Sequence, residues 1–329
     1  MKLAELGEFG LIGRIAGRVP AGTGVSIGIG DDAAAFEPAA GCISLVTTDM
    51  LVEGVHFDLS LCDPATLGRK ALAVNLSDIA AMGGVPRHFL LSLAIPGHIT
   101  VEFVDDLIGG MLDMAGRFGV TLIGGDTSSA RCGLVISITV IGEQSSSLVT
   151  PRSGARPGDL IFVTGTLGNS ALGLALLQKG KREGKAVTSH LDPDPRVREG
   201  IKLAEAGIPT AMIDISDGLL ADLGHILDLS GVGAHLMLAK LPISEEYRDK
   251  TATFASDIYT LALSGGEDYE LLFTVPPAKV PLLHTITGET GTAITGIGEI
   301  TSAAGIRIIA PDGTEYTPEC RGYNHFPDK

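Results

Sequence analysis

Several short stretches of this chain carry an acid beside Ser, Thr or Gly. They are "GIGDDAA" (Asp31, Asp32), "TTDM" (Thr47, Thr48, Asp49), "NLSDIAAMGG" (Asn75, Asp78), "IGGDTSS" (Gly125, Asp126), "DISDG" (Asp214, Ser216, Asp217) and "SGGEDYE" (Glu267, Asp268). Carboxylates and hydroxyls without a His or Cys partner are hard oxygen ligands. Such a set suits magnesium, which keeps several of its waters and bridges to phosphates. Two carboxylates about 4 Å apart repel by roughly 4 kcal/mol at an effective dielectric near 20. A converging cluster must therefore take up protons or hold cations. Singly, each acid has an ordinary reading as a turn former or helix N-cap, and Asp217 ahead of "GLLADL" and Asp63 ahead of Pro64 fit it well. As a set they point to metal-bound phosphate.

The elements that must position these acids are readable in outline. "GCISLVTTDM" reads as a strand running into polar residues. "DPATLGRKALAVNLSDIAAMGG" reads as a helix with Asp63 as N-cap, Pro64 at the first helical position and Gly83–Gly84 as the stop. On that helix Asn75 and Asp78 are one turn apart and look the same way. "HFLLSLAIP", "VTLIGGDTSS" and "LVISITVIGE" read as strands, and "TVEFVDDLIGGMLDMAGRFG" as a second helix. The stretch "SSSLVTPRSGARPGD", rich in Ser, Pro, Gly and Arg, reads as a seam near residue 150. Beyond it come "LIFVTGTLG" (strand), "NSALGLALLQKG" (helix), "AMIDISDGLLADLGHILDLSG" (strand, then helix) and "YELLFTVP" (strand). Most of the acids thus follow an apolar strand, and in α/β sheets ligands sit at the carboxyl ends of such strands.

Length and composition set the frame. A chain of 329 residues is long enough for two domains, here expected over 1–150 and 151–329. Hydrophobic content of 45% with 19% charged residues describes a packed globular protein. A formal charge of −15 argues against nucleic acid as a partner, because phosphate backbones need clustered Lys and Arg. No run is apolar for long enough to span a bilayer, so no membrane association is expected. The start, "MKLAELGEFG", has acids where a signal peptide would be apolar. The scattered Cys42, Cys62, Cys132 and Cys320 suggest neither a disulfide framework nor a zinc site. A cytoplasmic protein is the expectation.

Common phosphate-handling signatures are absent. There is no GxxxxGK[ST] loop, no GxGxxG fingerprint and no HRD or DFG. Use of ATP would need a less common architecture.

The ordered motifs "GIGDDAA", "TTDMLVEGVHF", "KALAVNLSDIAAMG", "LIGGDTS", "TPRSGARPGD", "VTGTLGNSALGLALL", "IDISDGLLADLGHI" and "LSGGEDYELLFTVP", closing with "GYNHF", resemble the thiamine-monophosphate kinases. These belong to the aminoimidazole-ribonucleotide-synthetase-like ATP-binding superfamily, and the likeness runs from about Gly7 to Phe326. It implies a two-domain fold: an N-terminal α/β domain that binds ATP and metal and forms a homodimer through its strands, and a C-terminal α+β domain that completes the active site. It implies ATP and thiamine monophosphate as substrates, several magnesium ions between them, and direct transfer without a phosphoenzyme. Carried over by position, Asp32, Thr47, Thr48, Asp49, Asp78, Asp126, Asp214 and Asp217 match metal ligands. Gly125, Asp126, Arg152 and Ser216 match ATP contacts, and His56, Glu267 and Tyr323 match substrate contacts. One departure is Thr47, where some relatives carry Ser; the hydroxyl survives.

The first half of "KGKREGKAVTSHLDPDPRVREG" is the least family-like stretch, and no role is expected for 179–191. Sister enzymes of the superfamily fit less well. A selenophosphate synthetase would need a reactive Cys or selenocysteine before Cys42, a hydrogenase-maturation relative would end in Cys, and aminoimidazole ribonucleotide synthetase lacks the "SGGEDYELLF" wording. A non-catalytic nucleotide sensor on the same scaffold would need fewer ligands than are retained.

Overall fold

The computed structural model describes residues 1–20, 22–30 and 33–323, and the chain separates into two compact units. The first comprises Met1–Ile79 and Gly84–Ser147, and the second Ala80–Gly83 and Leu148–Lys329. Among the described residues no helix is long and apolar enough to cross a membrane.

In the first unit, helices α1 (Leu3–Leu6) and α2 (Glu8–Ala16) precede a small ribbon of β1 (Val25–Ile27) and β2 (Ala35–Phe36). The main sheet follows: β3 (Cys42–Val52), then α3 (Pro64–Ala81), β4 (Val85–Pro96), α4 (Val101–Phe118), β5 (Thr121–Ala130) and β6 (Val135–Ser145). Its order is β3-β6-β4-β5. Only β4 and β5 run parallel; β6 pairs antiparallel with both β3 and β4. The β3–β6 ladder is unbroken from Cys42↔Ser145 to Val52↔Val135.

Helix α3 starts as its sequence dictates, with Asp63 Oδ1 accepting the Thr66 N–H at 2.9 Å. Helices α3 and α4 cross on two glycines. A Cβ on Gly110 would stand 2.6 Å from the Ala65 carbonyl carbon, and one on Gly68 would stand 3.0 Å from that of Leu107. Only glycine permits so close an approach of two backbones.

The second unit contains β7 (Leu160–Thr164), α5 (Asn169–Gln178), α6 (Lys185–Leu191), α7 (Val197–Glu205), β8 (Ala211–Asp214), α8 (Leu219–Ser230) and β9 (Gly233–Met237). Then come α9 (Glu245–Lys250), α10 (Thr260–Ser264), β10 (Leu271–Val275), α11 (Leu283–Thr290), β11 (Ile294–Thr301), β12 (Gly305–Ile309) and β13 (Glu315–Tyr316). One sheet runs β13-β12-β9-β11-β7-β10-β8, antiparallel except between β9 and β12. Strands β8 and β10 are buried at every position, as continuous apolar runs require. A polar group survives in this core because it is fully paired. Arg196 grips Glu270 with two hydrogen bonds of 2.6 Å, and Thr164 donates to the same carboxylate at 2.6 Å.

Both sheets are therefore mostly antiparallel. The rule that ligands gather beyond the ends of parallel strands does not apply here. Asp214 does close β8, but Asp49 and Asp126 lie well inside β3 and β5, where ladder pairing carries the strands past the acids.

Candidate active site

Strand β3 alternates, as any strand must, and the alternation divides its motif. Thr47 and Asp49 share the face covered by α3, whereas Thr48 lies on the other face with the exposed Val46 and Met50. On the covered face, the Thr47 hydroxyl donates to Asp78 Oδ2 at 2.5 Å. One turn earlier on α3, Asn75 Oδ1 accepts the Asp49 N–H at 3.0 Å, and its amide donates to Ala71 O at 3.2 Å. Asn75 thus locks strand to helix and brings Asp49 and Asp78 together. Burial first, and the charge of Asp78 second, push the Asp49 carboxyl up to about 6.

The Thr48 hydroxyl instead donates to Ile138 O at 3.1 Å and accepts from Thr139 at 3.0 Å. The structure separates it from the Asp49–Asp78 pair. Asp126 is separated further. One row of the ladder runs Asp49–Ile138–Leu91–Gly125 and the next Met50–Ser137–Ser92–Asp126. Asp126 is exposed on the opposite edge strand, three strand spacings or about 14 Å from β3. Beside it a Cβ on Gly125 would collide with the Leu91 backbone, so this position admits only glycine. His56 sits in the turn after β3, its Nδ1 accepting the Val52 N–H at 3.0 Å, which leaves Nε2 to carry the proton. Asp31 and Asp32 lie outside the described residues.

In the second unit the "DISDG" and "SGGEDYE" motifs come together. Glu267 N–H donates to Ser216 O at 2.7 Å, Tyr269 N–H to Ile215 O at 2.8 Å, and Ile215 N–H to Glu270 O at 2.8 Å. Glu267 and Tyr269 adopt left-handed backbone with φ of 65° and 50°. Non-glycine residues there store about 1–3 kcal/mol each and tend to mark ligand clamps. Tyr323 is joined to the same place by its N–H on Asp217 O at 3.0 Å, with half its surface exposed. The Pro151 carbonyl accepts the Met212 N–H at 3.1 Å, which sets the exposed Arg152 along the edge of β8.

Sequence reasoning missed Asp222. Asp217 does not cap α8: Gly218 is the N-cap and no side chain caps it. Asp222 instead reaches back from inside the helix to the turn before it, its Oδ2 accepting the N–H groups of Ser216, Asp217 and Gly218 at 3.0–3.1 Å. Burial, followed by the charge of Asp217, pushes its carboxyl up to about 7. The signal was an acid in the first turn after "SDG", obscured by the more conventional candidate ahead of the helix. Asp268 is also structural. Its two oxygens accept the N–H groups of Gly168 at 2.6 Å and Ser170 at 3.1 Å, at the start of α5.

Known proteins resemble this chain along nearly its whole length. Residues 30–144 match the AIR synthase related protein N-terminal domain family, and residues 156–310 the corresponding C-terminal domain family. The chain is 39% identical to the thiamine-monophosphate kinase of Escherichia coli strain K12, over 97% of this chain and 98% of the relative. It belongs to the thiamine-monophosphate kinase family. A crystal structure of the thiamine-monophosphate kinase from Stenotrophomonas maltophilia K279a superposes with a TM-score of 0.82 at 37% identity, covering 92% of this chain and 96% of that one. The structure of AaThiL complexed with AMPPCP and TMP gives 0.77 at 35% identity, covering 99% of both chains. The fold is therefore the two-domain AIR-synthase-like mixed α/β fold.

The donor set of this thiamine-monophosphate kinase relative suits magnesium. Asp49 and Asp78 are hard oxygen donors held close enough for the charge of one to raise the pKa of the other. Among the described residues, no group of three or more His, Cys, Asp or Glu is placed to cage a metal ion. Thr47, Asp49 and Asp78 would hold a magnesium ion here, and the ion would supply charge neutralisation toward a bound phosphate.

Proposed function

We propose that this chain phosphorylates thiamine monophosphate with ATP, giving thiamine diphosphate and ADP, by direct in-line transfer. The observation that carries the reading is the near full-length likeness to thiamine-monophosphate kinases, including a chain complexed with AMPPCP and TMP. In the reaction an oxygen of the acceptor phosphate bonds to the γ-phosphorus while the bond to the β–γ bridging oxygen breaks. ADP leaves, and no protein nucleophile intervenes. Magnesium, when bound, supplies charge neutralisation between the two anionic ligands.

The chain's own residues position and hold. Asp32, Thr47, Thr48, Asp49, Asp78, Asp126, Asp214 and Asp217 are the proposed metal ligands, with Thr47, Asp49 and Asp78 as the preassembled core. Gly125, Asp126, Arg152 and Ser216 meet ATP, Arg152 by a bidentate guanidinium fork. His56 offers its Nε2–H to the substrate phosphate, Glu267 faces the positively charged or amino-bearing part of the substrate, and Tyr323 covers a ring. The domain over 1–150 binds ATP and metal and dimerises, and that over 151–329 completes the site. The protein works in the cytoplasm.

Dimerisation has support in the first unit. Strand β3 is an edge of eleven residues, with Ile43, Val46 and Met50 exposed on it, and long apolar edges invite pairing. The proposed ligands also stand on both edges of one sheet. A second copy laying its β5 against β3 would set Asp126 of one copy beside Thr48 and Asp49 of the other.

The test is ADP release with ATP alone, with thiamine and with thiamine monophosphate. Release only with the monophosphate, abolished by EDTA and restored by excess magnesium, is the expected outcome; equal release without acceptor would sink the reading. Asp49→Asn should fold normally and lose at least ~100-fold in turnover, since an amide is a poorer magnesium ligand.

A further inference from the structure

Behind Glu267 stands a side chain with no task in the reaction described above. His190 is near the end of α6, in the segment for which the sequence offers no role. It is buried, with 6% of its surface exposed. Its Nδ1 lies 3.3 Å from Glu267 Oε2 and 3.1 Å from Ser170 Oγ. An ionised carboxylate has only acceptors, so the contact is attractive only when Nδ1 carries a proton. The neighbouring carboxylate selects that tautomer, or the imidazolium.

The frame around the imidazole is fixed. Ser170 is fully buried, and its N–H is bound by Asp268. The Glu267 backbone is pinned in its left-handed conformation by the bond to Ser216 O. The Glu267 side chain has three torsions, and a carboxylate that is not held in place pays rotamer entropy when it binds a ligand. His190 removes that freedom in advance.

We propose that His190 is a positioning residue for substrate selection, holding one carboxylate oxygen of Glu267 so that the group presents a single orientation to a cationic or amino-bearing heterocycle. This rests on the reading of Glu267 as a substrate contact. It predicts an effect on acceptor binding and not on ATP, because the contacts of His190 lead to Glu267 and to Ser170.

Steady-state kinetics with both substrates varied is the experiment. His190→Leu fills the space without a donor and should raise KM for thiamine monophosphate about 10-fold, with kcat and the KM for ATP within about 3-fold of the parent. His190→Asn, whose amide N–H reaches a position close to Nδ1, should recover most of the loss. Glu267→Gln is the control for the premise and must itself raise the same KM. In the double variant His190→Leu/Glu267→Gln the losses should not add, since one residue acts through the other. A His190→Leu enzyme with unchanged KM, beside a Glu267→Gln enzyme with raised KM, overturns the positioning role and leaves the substrate contact standing. A Glu267→Gln enzyme with unchanged KM removes the contact itself. Additive losses would also overturn the proposal, as would a His190→Asn enzyme no better than His190→Leu. If His190→Leu does not fold, His190→Ala enters the same cycle under the same criteria.

Discussion

At the scale of single residues, chemistry and architecture compete for the same acids. Asp268 sits in a motif that looks like a ligand cluster, yet both its oxygens bind backbone N–H groups of the α5 start. Those bonds favour the ionised form, but burial outweighs them and raises the carboxyl to about 7. The folded chain therefore holds this proton more tightly than the unfolded chain, whose Asp titrates near 3.8. Its contribution to stability is full below the unfolded value and is lost as pH rises through about 7. Thermal unfolding followed by circular dichroism should show a melting temperature that falls from about pH 5 to about pH 7. Asp268→Asn, which cannot titrate, should fall less steeply over that range; identical slopes would show that this proton plays no part. Residue type alone could not sort Asp268 from Glu267, because the difference lies in what each faces. For Asp63 the bland cap reading holds, and for Asp217 it fails because Gly218 takes the N-cap position and Asp222 binds the N–H groups of the turn ahead of the helix.

At the scale of elements, most of the framework was legible. The 64–81 helix carries its own start and stop, and the strands of the second unit are apolar runs of the right length. What was not legible is pairing, which depends on contacts distant in sequence. The extent of β3 is set by β6, some ninety residues on, and that pairing turns "TTDM" from a strand end into mid-strand positions on alternating faces. Glycines were ambiguous for the same reason, since a helical glycine can be tolerated or required. Helix α4 holds both kinds. Gly110→Ala drives a methyl into the Ala65 backbone and should destabilise by about 1–3 kcal/mol, read as a lowered urea midpoint. Gly116→Ala, with no atom within 4 Å of the new Cβ, should stabilise by about 0.5–1 kcal/mol. Shifts of the same sign would mean that the α3–α4 crossing yields more readily than its geometry implies.

At the scale of the whole molecule, the proposed dimer gives the first sheet a testable consequence. If Asp49 and Asp126 both serve one phosphate-transfer site, their places on opposite edge strands assign them to different copies. A two-fold pairing is self-complementary, so two such sites form at once, each with Asp49 from one copy and Asp126 from the other. Asp49→Asn and Asp126→Asn homodimers should each be nearly inactive. Mixed by denaturation and refolding in equal amounts, they form hybrids in which one site carries both substitutions and the other neither. Random reassortment puts half the molecules in that state, so about a quarter of all sites regain full function. A site built within one copy makes the opposite prediction, because every site in the hybrid would then carry one substitution. Mixed samples no more active than either parent, with hybrid formation verified by mass on differently tagged copies, would return both acids to the same chain and remove the reason for joining β3 to β5.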